Sequence, residues 1–471
     1  MTDSKQTKRE FFDRLAQTRR SWKQRARAYH DSIADLMRFI VPRGKKVAEI
    51  GCATGELLAA LEPSEGLGVD LSPAMVELAA KEFPKLEFLA ADAENLPLDR
   101  KFDYVVMSDV IGSLDDVQKA FEETLKITTP RSRVVITFYN KLWYPVIASA
   151  EALGLKSPNP EQNWLTVGDV RNLLELAGFE VVKSGRRLLF PIEIPLITPL
   201  INKIIGNLPL FNNLCLVNYM VAKPLRRETN ANHLSVSIIV PTMNESGNIE
   251  GAITRVAAMG THVETIFVDG HSTDGTVEKI HEVIAKHPEK DIKFAFQDGK
   301  GKANAVFKGF DMATGDILMI LDSDLTMPPE DLPKFYQAIA GGAGEFINGC
   351  RLVYPMEGQA MRTLNYFANH FFSLAFTWLL GQRLKDTLCG TKVLLRSDYE
   401  EIKRNRSFFG DFDPFGDFDL LFGAAKLNLK IVDMPIRYKD RVYGDIKIHR
   451  FRHGILLLQM CAFAARKIKF I

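Results

Sequence analysis

Cysteine is scarce. Cys52, Cys215, Cys350, Cys389 and Cys461 are the 5 in 471 residues, widely scattered and without a C-x-x-C spacing. Such a set encodes neither a disulfide framework nor a zinc site, and a reducing cytoplasm is the expected compartment. An excess of one charge is also missing. Lys and Arg number 60 against 58 Asp and Glu, a formal net charge of +2. Neutralising a phosphate backbone calls for a broad basic surplus, so no nucleic-acid partner is expected. No apolar run reaches the roughly 20 residues that span a bilayer as a helix; HFFSLAFTWLLG and ILLLQMCAFAA fall well short. The charged start MTDSKQTKREFF has no apolar segment, so no secretory leader is expected. Short repeats and low-complexity tracts are absent too.

What is present is a pattern that starts twice. An apolar strand, a glycine-bearing turn and an amphipathic helix follow one another at KKVAEIGCATGELLAAL and again at VSIIVPTMNESGNIEGAITRVAAM. Each start opens an α/β sheet, and the chain is long enough for separate cores. The polar stretch between them reads as a linker, which divides the α/β chain into two domains, 1–224 and 235–471, joined by 225–234.

In the first half, Gly51 and Gly55 stand between strand and helix, where backbone can approach a ligand. Asp70 closes the next apolar strand about 20 residues on, the place from which a carboxylate takes a ribose diol. FLAADAENLPL offers Asp92, and FDYVVMSDVIGSL ends a strand in Ser108 and Asp109. His30 follows a basic helix and is expected on the surface, which leaves this half without an evident base. The stretch LLFPIEIPLITPLINKIIGNLPLF is broken by Pro191, Pro195, Pro199 and Pro209, so it either covers an acceptor pocket or packs on the sheet, and packing is the expectation.

In the second half, IVPTMNE and FVDGHSTDGT place Pro241, Glu245, Asp269 and Asp274 at strand exits, and an apolar strand terminates in Asp322-Ser323-Asp324. Alternate residues of an extended segment point the same way, so both carboxylates can face one cation. Upstream, GKGKANAVFKGF supplies Lys300 and Lys302, and ammonium groups beside a divalent-metal site suit a nucleotide diphosphate.

Through EIGCATG, GVDLS, ADAENLP and FDYVVMSDVIGSL, the first half resembles the class I S-adenosylmethionine-dependent methyltransferases, a Rossmann-like sheet. The resemblance implies that Glu49, Gly51 and Gly55 frame the methionine part of S-adenosylmethionine, that Asp70 binds its ribose, and that Asp92 meets the adenine amine. Ala53 stands where that family usually has a further glycine. Through IVPTMNE, FVDGHSTDGT, GKGKANAVFKGF and LDSDL, the second half resembles the family 2 glycosyltransferases of GT-A fold. KDTLCGTKVLLR and PIRYKDRVYGDIKIHRFRHG narrow the likeness to the dolichyl-phosphate mannosyltransferase and polyprenyl-phosphate sugar synthase branch. This likeness implies that Pro241, Glu245 and Asp269 hold the nucleoside. Asp322 and Asp324 then hold Mg2+ or Mn2+ on the diphosphate, and displacement inverts the sugar. Gly270 and Met243 depart from that family's frequent aspartate and tyrosine.

Six basic side chains crowd RVYGDIKIHRFRHG just before the apolar ILLLQMCAFAA. With a polyprenyl phosphate or glycolipid acceptor, Arg441 and Lys447 are expected to take its phosphate, and the apolar run to lie peripherally on the cytoplasmic face of a membrane. A hydroxyl acceptor would instead need Asp417 or Asp419 in FGDFDLLFG as its base, the reading for an enzyme that elongates a cell-surface polysaccharide. The expected function is bifunctional, a sugar transferase joined to a methyltransferase of unknown acceptor. The alternative makes the first half a regulatory or scaffolding cofactor-binding module.

Overall fold

The computed structural model describes residues 3–157, 159, 162–225, 233–354, 363–405, 417–441, 443 and 450–470, with backbone alone at 363–368, 417 and 450–454. The chain divides into two compact units, Met1–Leu225 with Lys469–Ile471, and Arg226–Ile468.

The first unit begins with helices Asp3–Ala16 (α1), Arg19–Arg25 (α2) and Arg27–Ile40 (α3). In α3, Ile33, Leu36, Met37 and Ile40 recur at three- and four-residue spacing, so one stripe is apolar and buried. That stripe packs on Val47, Val106, Val135 and Val221 of the sheet. The strands are Lys46–Ile50 (β1), Glu65–Asp70 (β2), Glu87–Ala90 (β3), Phe102–Ser108 (β4), Thr128–Tyr139 (β5), Phe179–Arg187 (β6) and Val217–Pro224 (β7). These seven, among the described residues, stand in the order β3-β2-β1-β4-β5-β7-β6. β1 pairs in parallel with β2 on one side and β4 on the other. The winding direction therefore reverses between β1 and β4, and a crevice opens beyond their carboxyl ends. Helix starts near that edge are fixed by side chains: Ser72 accepts from the Met75 amide, and Thr166 and Asp169 form a reciprocal capping box.

The proline-broken segment departs from expectation. It breaks into helix Ile197–Lys203 and shorter turns, as its prolines require; Leu188 at its start is buried in the core against the sheet, yet many of the apolar side chains that follow are not. Leu196 and Leu210 are 88% and 85% exposed, and Ile192 and Leu200 are also exposed, while Thr198, Gly206 and Asn207 face inward. His30 departs too. It is half-buried, its ring edge-on to Tyr29 at 5.4 Å. Burial, with Lys23 and Arg19 nearby, pushes its pKa down to about 4.

The second unit takes Val236–Thr242 (β8), Val263–Asp269 (β9), Asp291–Phe296 (β10), Ile317–Ile320 (β11), Phe346–Cys350 (β12), Lys392–Leu395 (β13) and Ile431–Pro435 (β14). The order of these seven described strands is β10-β9-β8-β11-β13-β12-β14. β8 and β11 are buried along their whole length, as expected of predominantly apolar strands at the centre of a sheet covered on both faces. The winding reverses between β8 and β11, which pair in parallel, so this sheet also has its crevice where Thr242 and Asp322 emerge.

After the carboxyl end of β12 lies a buried ion pair. Asp386, fully buried, accepts from the Arg351 guanidinium at 2.7 and 2.8 Å, from the Arg351 amide at 2.9 Å and from the Leu388 amide at 3.0 Å. Burial alone would raise its pKa; Arg351 outweighs that and holds it down at about 2. A folded value below the unfolded one means that the stabilisation is complete above about pH 4 and is lost as pH falls through about 2. Acid titration of the folded protein is expected to show a contribution of about 2 kcal/mol vanishing across that window. Asp386→Asn, which leaves Arg351 facing an amide, should cost about 3–5 kcal/mol in denaturant unfolding at neutral pH. A loss below 1 kcal/mol would show that the pair is not desolvated as described.

Candidate functional sites

In the first unit the loop after β1 turns through three left-handed residues. Gly51, Ala53 and Gly55 have φ of +79°, +48° and +80°. At Gly51 a side chain is also excluded by space, since a Cβ would stand 2.6 Å from Val110 Cγ2. At Gly55 it would meet the Phe88 ring at 2.7 Å. Ala53, where a glycine was expected, adopts the strained conformation nonetheless, and its amide donates to Asp70 Oδ2 at 2.8 Å. Asp70 Oδ1 accepts from the Ser72 amide at 2.9 Å. Asp70 thus ties the glycine loop to the end of β2, with burial raising its pKa against the pull of both amides. Glu49 is buried beside it. Its Oε2 has no hydrogen-bond partner among the described residues, and burial pushes its pKa up to about 8. An orphaned carboxyl oxygen, a left-handed glycine loop and a strand-end carboxylate fit S-adenosylmethionine, whose ammonium and ribose hydroxyls are donors for such groups.

Asp92 stands at the same edge, but with company that sequence reasoning missed. Lys5 of α1 reaches Asp92 at 2.6 Å and Glu94 at 2.7 Å. Further along α1, Lys8 pairs with Asp115, and Asp13 accepts from the Ser72 hydroxyl and, at 3.2 Å, from the Ala74 amide. The N-terminal helix, noted in the sequence only as a charged start, is pinned across the carboxyl edge of the strands. Arg19 of α2 faces Asp70 and Asp109 electrostatically, and its Nε is buried without a hydrogen-bond partner among the described residues. Asp109 itself is held by Tyr29 and Thr137.

In the second unit the two aspartates after β11 each carry a cation. Lys302 Nζ lies 2.5 Å from Asp322, and Arg441 Nη2 lies 2.6 Å from Asp324. Burial would raise Asp322, yet Lys302 first, then Lys392 and Arg351, hold its pKa below the ordinary carboxylate value. Two carboxyl groups one residue apart offer oxygen donors of the kind a hard divalent cation takes. A Cβ on Gly390 would collide with both Asp322 and Lys302, so the glycine of DTLCGTK leaves room above this pair. Asp324 Oδ1 accepts from the Thr326 amide at 3.1 Å and its hydroxyl at 2.8 Å, fixing the carboxylate.

Arg441 does more than the sequence suggested. It also reaches Glu245 at 3.2 Å, while Glu245 accepts from Asn248 at 2.8 Å. Tyr443 rests on the same loop, its hydroxyl 2.9 Å from Ser246 Oγ and its ring where a Cβ of Gly247 would be. Arg441 therefore joins Glu245 to Asp324, and Tyr443 lies on the loop after β8. Asp269 is fully buried, accepting from Ser272 at 2.8 and 2.5 Å and from the Thr242 hydroxyl at 3.2 Å. Pro241 precedes Thr242, whose carbonyl accepts from the Gly270 amide at 2.8 Å. Beside this turn His271 stacks on Phe296, planes 3° apart and centroids 5.3 Å apart, a flat exposed surface that only the pairing of β9 with β10 assembles.

Asp419 lies apart from the bonds described above. It is buried and lines a cavity with Phe307, Asp311, Tyr399, Lys403 and Lys426. Lys447 and the side chain of Asp417 lie outside the described residues.

Comparison with known proteins divides the chain in the same two parts. Residues 21–184 match the family model Methyltransferase domain, and residues 237–402 match Glycosyl transferase family 2. The dolichol-phosphate mannosyltransferase of Pyrococcus furiosus is 40% identical over 225 residues, 46% of this chain and 59% of that protein. The undecaprenyl-phosphate 4-deoxy-4-formamido-L-arabinose transferase of Aeromonas hydrophila is 32% identical over 111 residues, 23% of this chain and 34% of that protein. The chain thus spans less than two thirds of either relative. Among solved structures, a SAM-dependent methyltransferase from Thermotoga maritima, described as a possible histamine N-methyltransferase, aligns with 46% of this chain and 98% of its own, at 21% identity and a TM-score of 0.38.

Proposed function

Because the chain joins a methyltransferase domain to a glycosyl transferase family 2 domain, we propose a bifunctional enzyme. The second unit transfers a sugar from a nucleotide sugar to a polyprenyl phosphate, and the first methylates a glycolipid, sugar or lipid acceptor with S-adenosylmethionine. The observation that carries the first half of this reading is the pairing of Asp322 with Lys302 and of Asp324 with Arg441 at the switch point between β8 and β11. A nucleoside diphosphate leaves with concentrated negative charge, and a site that brings cations to two fixed carboxylates suits both a divalent ion and that leaving group.

Asp322 and Asp324 would hold Mg2+ or Mn2+, which supplies charge neutralisation on the diphosphate. Lys302 and Arg441 add positive charge at the same end. The acceptor phosphate is ionised at neutral pH and needs no base. Its oxygen bonds to the anomeric carbon as the bond to the diphosphate breaks on the opposite face, which inverts the sugar. Arg441 lies on the donor-side carboxylates, so we assign it to the donor and leave Lys447 to the acceptor phosphate.

Peripheral membrane contact on the cytoplasmic face agrees with a lipid acceptor. No helix of the described residues is long and apolar enough to cross a membrane. Helix Arg450–Ala464 buries Leu457 and Met460 but leaves Ile455 and Leu458 exposed, and the segment around Leu196 and Leu210 is exposed in the first unit.

The test is a screen of radiolabelled nucleotide sugars with a polyprenyl phosphate and Mg2+. One donor is expected to label the lipid extract, and calorimetry should show S-adenosylmethionine binding. Label that enters only a hydroxyl acceptor would overturn the lipid-phosphate reading in favour of polysaccharide elongation.

A further inference from the structure

At the carboxyl ends of β4 and β5 the first unit carries side chains that the reading above leaves without a task. The Tyr29 hydroxyl donates to Asp109 Oδ2, and the Thr137 hydroxyl donates to Asp109 Oδ1 at 3.0 Å. Asp109 follows β4 in the left-handed region, φ +58°, and so turns out of the strand. Its neighbour Val110 lies against Gly51, which sets this carboxylate beside the glycine loop.

From Asp109 a row of rings leads outward. Tyr139 is 5.9 Å from Tyr29, Trp164 is 6.3 Å from Tyr139 with 28° between planes, and Tyr144 is 5.0 Å from Trp164. Tyr29 is buried, Tyr139 and Trp164 are half-buried, and Tyr144 is exposed. The row is therefore a ramp from solvent to a carboxylate. The Lys156 ammonium lies 5.7 Å above the Tyr139 ring and pairs with Glu151 at 2.6 Å.

Three chemistries suit aromatic rings, and the polar groups choose among them. An isoprenoid chain would be met by apolar walls, not by a carboxylate bonded to two hydroxyls. A cationic amine would suit rings and a carboxylate, but Lys156 already occupies the Tyr139 face and Arg19 adds charge beside Asp109 and Tyr139. An uncharged sugar ring is not repelled by either cation: its C–H face stacks on Trp164 and Tyr144, the outer rings of the row, and its hydroxyls need the acceptors found at the inner end.

We propose that this row is the methyl-acceptor site, that its substrate is a carbohydrate, and that Asp109 is the base for the hydroxyl that receives the methyl group. The inference rests on the reading of the first unit as a methyltransferase. The substrate hydroxyl gives its proton to Asp109, and its oxygen forms the new bond to the methyl carbon. Bound S-adenosylmethionine supplies that methyl, its C–S bond breaking with the electron pair left on a neutral thioether. Tyr29 and Thr137 hold the carboxylate in place as it takes the proton, which is how alignment and a positioned base lower the barrier together.

Saturation-transfer NMR of the full chain with methyl hexopyranosides tests binding without turnover. Sugar ring protons should receive saturation, and Trp164→Ala should weaken the interaction at least tenfold. Tyr144→Ala, at an exposed position that the fold does not need, should weaken it about threefold. Asp109→Asn should keep both sugar and S-adenosylmethionine binding while methyl transfer to the sugar falls on the order of a hundredfold or more. Sugar binding indifferent to Trp164→Ala and Tyr144→Ala would overturn the site. Methyl transfer by Asp109→Asn within fivefold of wild type would overturn the base. A wild-type chain that binds S-adenosylmethionine but no hexopyranoside would overturn the substrate class and leave the methyltransferase reading standing. Failure to bind S-adenosylmethionine at all would remove that reading itself.

Discussion

Asp322→Asn is expected to lower kcat/KM for sugar transfer on the order of a thousandfold, with the circular dichroism of the protein unchanged. The amide keeps the shape of the side chain but removes the charge that Lys302 faces at 2.5 Å and half of the negative charge available to a divalent ion. Lys302, Lys392 and Arg351 together keep Asp322 ionised despite its burial, so its charge is present throughout the neutral range. Asp324→Asn should behave alike, because that carboxylate is oriented by Thr326 and bonded to Arg441. Arg441→Gln is expected to raise KM for the nucleotide sugar more than KM for the lipid phosphate, since the guanidinium bridges Glu245 and Asp324. Wild-type rates in excess chelator, or an Asp322→Asn enzyme within fivefold of wild type, would refute a metal site at this pair. The pair would then serve only to hold Lys302 and Arg441.

The strand ends were legible in the sequence because an apolar run that stops in a carboxylate carries its own boundary. Asp70, Asp269 and Asp322 all emerge at the carboxyl edges where such runs end. What faces them was not legible. Lys5 meets Asp92 across 87 positions, Tyr29 meets Asp109 across 80, and Arg441 meets Asp324 across 117. No periodicity links residues so far apart, and each partner looks in its own neighbourhood like an ordinary surface residue. The exposed apolar side chains around Leu196 and Leu210 were misjudged for a related reason. Prolines report that a long helix cannot form, but which face of the resulting short turns meets the sheet depends on tertiary packing. The base proposed for the first unit, Asp109, was not singled out in the sequence because an aspartate at a strand end has many uses. Only the arrival of Tyr29 from α3 and Thr137 from β5 marks it out.

Asp70→Ala should weaken S-adenosylmethionine binding at least about a hundredfold while sugar transfer stays at the wild-type rate. Two losses combine. The ribose loses a carboxyl acceptor, and a buried donor left without its partner costs about 1–3 kcal/mol. The glycine loop also loses its tether, because Asp70 holds the Ala53 amide at 2.8 Å and the Ser72 amide at 2.9 Å. Ala53 sits at φ +48°, a conformation that costs an L-residue about 1–2 kcal/mol, so the tether offsets a local strain. Ala53→Gly relieves that strain and removes only a methyl group from the loop. In the wild-type background it should tighten cofactor binding modestly, and in the Asp70→Ala background it should recover several-fold of the lost affinity. Calorimetry on the four proteins of this cycle separates the two contributions. If Asp70→Ala leaves cofactor affinity unchanged, Asp70 does not hold the ribose and the first unit loses its cofactor assignment. If sugar transfer falls with it, the two activities are coupled rather than merely joined in one chain.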